Sequence, residues 1–119
     1  CSPGLQYTNQ VCARWYRAPE LLYSAGHYDS AIDIWSAGCV FAELMLRRVW
    51  FCGHSDMEQL GLIFKALGPP EEVWPGVTKL KTYVQIKAAG EPLAVLFPGA
   101  SPDALDLLSG MVALNPEHR

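Results

Sequence analysis

One stretch of the sequence, residues 30 to 47, constrains the fold more than any other. Its large apolar side chains fall on nearly every side of a 3.6-residue helix: Ile32, Ile34, Trp35, Val40, Phe41, Leu44, Met45 and Leu46. A helix that is apolar on nearly every side must be surrounded by protein, so we expect a central buried helix over 30–47. Its longest uncharged part, residues 34–42, falls well short of the roughly 20 apolar residues that a membrane helix needs.

Local start and stop signals predict two further helices. Ser55 is followed by Glu58 at the spacing of a capping box, and an apolar face then continues to residue 67. Ser101 precedes Pro102, which predicts a helix over 101–113. Residues 69–100 alternate Pro, Gly and short apolar runs and predict a packed, irregular insert. Residues 1–30 lack a sustained period and predict a loop with one helical turn.

Composition and charge exclude several classes of function. The chain is 50% hydrophobic and 18% charged, with a formal net charge of -3. Such a chain is not disordered as a whole, and its mild acidity argues against direct nucleic-acid or polybasic membrane binding. The four cysteines form no C-x-x-C pair, and the three histidines lack metal-ligand spacing. We therefore expect no metal site, and a reducing compartment.

Three motifs carry a resemblance to a known family, in the family's order along the chain. Residues 15–20 (WYRAPE) resemble the Ala-Pro-Glu motif that closes the activation segment of protein kinases, in its cyclin-dependent form. Residues 33–39 (DIWSAGC) resemble the start of the central helix of the kinase C-lobe, and residues 115–119 (NPEHR) resemble the Asn-Pro-x-x-Arg motif. The sequence most resembles the kinases that activate cyclin-dependent kinases, especially the plant-type members. The resemblance implies a mainly α, partial kinase C-lobe over 1–119, with residues 1–20 as activation segment.

The resemblance also implies regulatory and substrate-binding roles. Thr8 aligns with the activating phosphorylation site, where a phosphate adds about -1.5 to -2 charge. Ser2, followed by Pro3, matches a second phosphorylation site, and the alternative of an ordinary turn serine stays open. Val11, Cys12 and Arg17 align with the pocket for the residue after the phosphorylated Ser or Thr, where the family prefers proline. Proline lacks an N–H group, so a pocket without an acceptor favours it.

Four further residues are implied to be structural. Glu20 and Arg119 resemble the buried ion pair that ties the activation segment to the C-lobe. Asp33 aligns with the aspartate that accepts hydrogen bonds from the catalytic loop, and Trp15 belongs to the closing motif of the segment. Ala13 stands where most Ser/Thr kinases have Thr or Ser, which we interpret as a mark of the plant-type subgroup.

No catalytic residue is expected in this chain. The 119 residues contain no Gly-rich loop, His-Arg-Asp or Asp-Phe-Gly motif, so we expect a piece that cannot transfer phosphate alone. The resemblance implies a parent that uses ATP and Mg²⁺, a cyclin and an assembly factor, in the nucleus, with the cytoplasm as a second location. Implied substrates are Ser/Thr-Pro sites in the activation loops of other cyclin-dependent kinases and in the C-terminal domain of RNA polymerase II. The alternative is a truncated, non-catalytic module that binds kinase partners.

Overall fold

The computed structural model describes residues 14–23, 30–80 and 83–119. Five α-helices have both ends within these ranges: α1 (Pro19–Leu22), α2 (Ser30–Leu46), α3 (Asp56–Leu67), α4 (Leu93–Leu96) and α5 (Pro102–Met111). The same ranges also contain the 3-10 turns Pro70–Glu72, Pro75–Lys79 and Pro116–His118, and no strand. The prediction of a mainly α fold is therefore confirmed. Within the described ranges, no helix has the length and apolar character to cross a membrane.

Helix α2 is the element against which much of the described chain packs. It contacts α5 and the final 3-10 turn, while α1 packs on α3. Gly38 makes the contact with α5 possible, because a Cβ atom there would lie 2.9 Å from Met111 Cβ and 2.9 Å from Val112 Cγ1. A larger residue at this position would push the two helices apart.

One side of α2 differs from the expected burial. Trp35 and Cys39 are buried, but Val40 is 49% and Leu44 is 73% exposed. Asp33 and Ala37 are exposed on the same stripe, at a spacing of three and four residues. The expectation of a helix buried all round is thus met on one side only, because α5, the final turn and the core cover that side.

The end of α2 also differs slightly from the expectation. The helix ends at Leu46, one residue before the predicted end, so Arg47 and Arg48 lie after it. Arg47 adopts a φ of 60° and donates its N–H to the Glu43 carbonyl at 2.7 Å. This left-handed residue terminates the helix in the way a glycine commonly does.

Side-chain caps begin the other two long helices where the sequence indicated. Ser55 accepts the N–H of Glu58 at 3.1 Å, and Ser101 accepts the N–H of Ala104 at 3.2 Å. The Glu58 carboxylate reaches one residue further back than in the usual capping box and accepts the N–H of His54 at 2.9 Å. Helix α5 ends at Met111, two residues before the predicted end.

The insert between α3 and α5 is irregular and packs on the core. Its buried side chains are Pro70, Trp74, Val77 and Phe97. The Asn115 side chain donates to the Val73 carbonyl at 3.1 Å, and Glu91 N–H donates to the Ala66 carbonyl at 2.9 Å. These bonds tie the insert, which consists of short helical turns and irregular stretches, to α3 and to the residue before the final 3-10 turn.

Candidate functional site

The predicted site residues divide into two groups. Ser2, Thr8, Val11 and Cys12 lie outside the described residues, as does Ala13. Their assigned roles therefore stay predictions. The described members are Trp15, Arg17, Glu20, Asp33 and Arg119.

Glu20 and Arg119 form an ion pair between the start and the end of the described chain. Arg119 Nη2 lies 2.6 Å from Glu20 Oε1, and the two side chains are 0% and 9% exposed. Arg119 Nη1 also donates to the Ala31 carbonyl at 3.0 Å, and its guanidinium carbon lies 5.2 Å from the centre of the Trp35 ring. One buried cation thus joins α1, α2 and the C-terminal turn.

Trp15 is fixed against the loop that precedes α3. Its indole N–H donates to the Gly53 carbonyl at 3.0 Å. Gln59 from α3 donates its amide N–H to the Trp15 carbonyl at 3.3 Å. Arg14, one residue earlier, forms an ion pair with Asp56 at 3.1 Å. The turn at residues 14–17 is therefore held by α3 and its leading loop.

Tyr16 connects the same turn to α2. Its hydroxyl donates to the Glu43 carboxylate, and its carbonyl accepts the Ser36 hydroxyl at 2.8 Å. Burial, followed by the hydrogen bond to Glu43, raises the pKa of Tyr16 above its ordinary value, so the phenol stays protonated and remains a donor.

Asp33 does not occupy the buried setting that the sequence analysis expected. It lies in the first turn of α2 and is exposed. Its side of the helix is the stripe that also carries Val40 and Leu44, which the described residues leave open. The scaffolding role implied for Asp33 stays a prediction.

The described residues offer no metal-ligand cluster, and the cavity beside the end of α2 offers no charge to a nucleotide. They contain no group of three His, Cys, Asp or Glu side chains able to hold a metal ion. The cavity has a volume of about 440 Å³ and is lined by Met45, Leu46 and residues 97–100, none of them charged. A triphosphate would find no cationic partner in this cavity.

Comparison with known proteins agrees with the three motifs. Residues 1–119 match the family described as the protein kinase domain. The chain belongs to the protein kinase family. This kinase chain is 53% identical over 120 residues to Cyclin-dependent kinase D-1 of Oryza sativa subsp. indica, covering 99% of the chain and 28% of the relative.

Relatives from two other organisms give similar matches. Cyclin-dependent kinase 7 of Caenorhabditis elegans is 50% identical over 121 residues, covering 99% of the chain and 37% of the relative. Serine/threonine-protein kinase KIN28 of Saccharomyces cerevisiae is 47% identical over 117 residues, covering 94% and 38%. The resemblance to cyclin-dependent kinases is confirmed. This kinase chain spans between 28% and 38% of the length of these three relatives.

Sequence reasoning missed two residues of this region, Gln59 and Ser36, which hold consecutive carbonyls of the turn. Gln59 is 0% exposed although it is polar. A signal was available, because Gln59 lies four residues before the buried Ile63 and hence on the apolar face of α3. Ser36 gives no comparable signal, because a serine within an apolar helix has no fixed meaning.

Proposed function

We propose that this chain is the C-lobe part of a cyclin-dependent Ser/Thr-Pro protein kinase. The parent would transfer the γ-phosphate of ATP, with Mg²⁺, to activation loops of other cyclin-dependent kinases and to the C-terminal domain of RNA polymerase II. The observation that carries the proposal is the match of residues 1–119 to the protein kinase domain. Identities of 47–53% to cyclin-dependent kinases and KIN28 support the choice of subgroup.

The contacts of residues 14–20 support a role in presenting substrate. Glu20 is held by the buried Arg119, and the carbonyls before Arg17 are held by Ser36 and Gln59. A specificity pocket needs such a rigid frame, because a loose wall could adapt to accept any side chain. In this proposal Val11, Cys12 and Arg17 form the pocket that favours proline after the phosphorylated residue.

Regulation follows from the same segment. Thr8 would be the activating phosphorylation site and Ser2 a second one, and phosphate on Thr8 would order the segment by pairing with arginines of the parent. A cyclin and an assembly factor would be the partners, and the nucleus the main location. The 119 residues alone would bind no ATP, since the chain carries no Gly-rich loop, His-Arg-Asp or Asp-Phe-Gly motif.

A kinase assay on the full-length protein with its cyclin tests the proposal. The substrates are two peptides that differ only in having Pro or Ala after the target Ser. We expect ATP- and Mg²⁺-dependent phosphorylation of the Ser-Pro peptide and little of the Ser-Ala peptide. Thr8→Ala should lower this activity, while Thr78→Ala, at an exposed position of a 3-10 turn, should not.

Two results would contradict the proposal. A cyclin-bound protein that phosphorylates neither peptide would favour the alternative of a non-catalytic binding module. A clear thermal shift of the 119-residue chain alone on addition of Mg-ATP would contradict the expectation that the nucleotide site lies elsewhere in the parent.

A further inference from the structure

Gln59 is a buried polar side chain whose hydrogen bonds all leave its own helix. It is 0% exposed, and an amide buried without partners would be costly. Its Oε1 accepts the Gly53 N–H at 2.7 Å. Its Nε2 donates to the Phe51 carbonyl at 3.2 Å and to the Trp15 carbonyl at 3.3 Å. Both ends of the amide are therefore in use.

These bonds close a ring with the indole of Trp15. The Trp15 N–H donates to the carbonyl of Gly53, whose own N–H is bound by Gln59. The ring is tight, because a Cβ atom on Gly53 would lie 2.6 Å from Gln59 Cα. Trp15 thus cannot shift relative to α3 without breaking hydrogen bonds in a water-poor site.

The ring acts on the peptide planes that lead into Arg17. Gln59 holds the Trp15 carbonyl, and Ser36 from α2 holds the next carbonyl, that of Tyr16, at 2.8 Å. The Arg17 N–H donates to the Arg14 carbonyl at 3.2 Å. Two successive peptide planes are therefore fixed from two different helices immediately before Arg17.

We propose that Gln59 is a positioning residue for the substrate pocket that includes Arg17. The proposal rests on the proposed function, since it concerns the pocket for the residue after the phosphorylated Ser or Thr. Without the Gln59 amide, the Trp15 carbonyl loses its donor and the turn becomes looser. A looser wall binds the Ser-Pro peptide less well and discriminates less against other residues, whereas ATP binding is unaffected.

The test compares three variants of the full-length, cyclin-bound enzyme. Gln59→Met removes all three hydrogen bonds, and Gln59→Asn keeps an amide that is one methylene too short to reach Gly53, Phe51 and Trp15 together. Gln85→Met, at an exposed position of the insert, is the matched control. The KM values for the Ser-Pro peptide, the Ser-Ala peptide and ATP are measured, together with the melting temperature.

For each Gln59 variant we expect the KM for the Ser-Pro peptide to rise about tenfold, as for the loss of one buried hydrogen bond. The preference of kcat/KM for Pro over Ala should fall, and the KM for ATP should stay unchanged. The control should match the wild type. If Gln59→Met fails to fold, Gln59→Asn decides, because it keeps an uncharged polar amide at the buried position.

The outcomes separate this proposal from the one on which it rests. A folded Gln59 variant with wild-type peptide KM and wild-type Pro preference overturns the positioning role alone. Parallel rises of the peptide and ATP KM values also overturn it, because they indicate a general structural defect. A wild-type enzyme that phosphorylates neither peptide refutes the proposed function and the positioning role together.

Discussion

Replacement of Arg119 by Ala should destabilise the protein strongly, because it leaves a buried carboxylate without its partner. The Arg119 side chain is 0% exposed and makes hydrogen bonds to Glu20 at 2.6 Å, to the Ala31 carbonyl at 3.0 Å and to the Leu114 carbonyl at 3.4 Å. Removing one member of a buried ion pair costs about 3–5 kcal/mol of unfolding free energy. At about 2–4 °C per kcal/mol, the melting temperature should fall by about 6 °C or more.

The assay is thermal melting of the full-length protein, followed by tryptophan fluorescence, with exposed Arg48→Ala as the matched control. The double variant Glu20→Leu/Arg119→Met should lose less unfolding free energy than Glu20→Leu and Arg119→Met lose in sum, because it leaves no buried charge unpaired. Within the described residues, Glu20 Oε2 and Arg119 Nε are buried without hydrogen-bond partners, so part of the cost of desolvating the pair is not offset. A melting temperature for Arg119→Ala within about 2 °C of the wild type, or strictly additive single variants, would refute this reasoning.

Three further predictions concern two side chains, Cys39 of α2 and Arg47, the residue after the helix. Burial raises the pKa of the Cys39 thiol to about 12, although the charge of Arg119 acts in the opposite direction. Iodoacetamide at about pH 8 should therefore label the exposed Cys52 and spare Cys39 until the protein is denatured, as read by peptide mass spectrometry; equal labelling of the folded protein would contradict this. Because folded Cys39 keeps its proton to a higher pH than the unfolded thiol, whose pKa is 9.0, its contribution to stability is complete below that pH. That contribution is lost as the pH rises towards about 12. With rising pH, the melting temperature of Cys39→Ala should therefore fall less steeply than that of the wild type. Arg47→Gly should raise the unfolding free energy by about 1 kcal/mol, because Arg47 has a φ of 60°, a conformation that favours glycine; a lower melting temperature than for Arg48→Gly would contradict this.

The parts of the fold that were predicted well are those fixed by local chemistry. A capping serine acts on a backbone N–H three residues later, so Ser55 and Ser101 marked the starts of α3 and α5 in the sequence itself. Proline at the first position of α5 added a second local signal. The end of α2 was predicted less accurately. Arg47 adopts the left-handed conformation that ends the helix, and only glycine and, less often, asparagine signal this conformation in a sequence.

The burial of α2 on one side only could not be predicted from hydrophobic periodicity. Apolar residues on every side of a helix indicate that each side must be covered, but they do not identify the segment that covers it. Trp35 and Cys39 meet the core, whereas Val40 and Leu44 remain exposed in the described structure. The sequence of α2 is apolar on nearly all sides. The contacts that bury each side depend on tertiary packing.

The frame around residues 14–20 depends on long-range contacts in the same way, and this has a consequence for the candidate site. Its hydrogen-bond partners come from Ser36, Gly53, Gln59 and Arg119, which lie between 20 and 99 positions away from the residues that they hold. The three motifs include two of these partners, Ser36 and Arg119, whereas Gly53 and Gln59 lie outside them. Because these partners act on one continuous segment, their substitutions should couple, and the effect of two together should differ from the sum of the single effects. Under the proposed function, we therefore expect substrate preference to depend also on Gln59, which belongs to none of the three motifs.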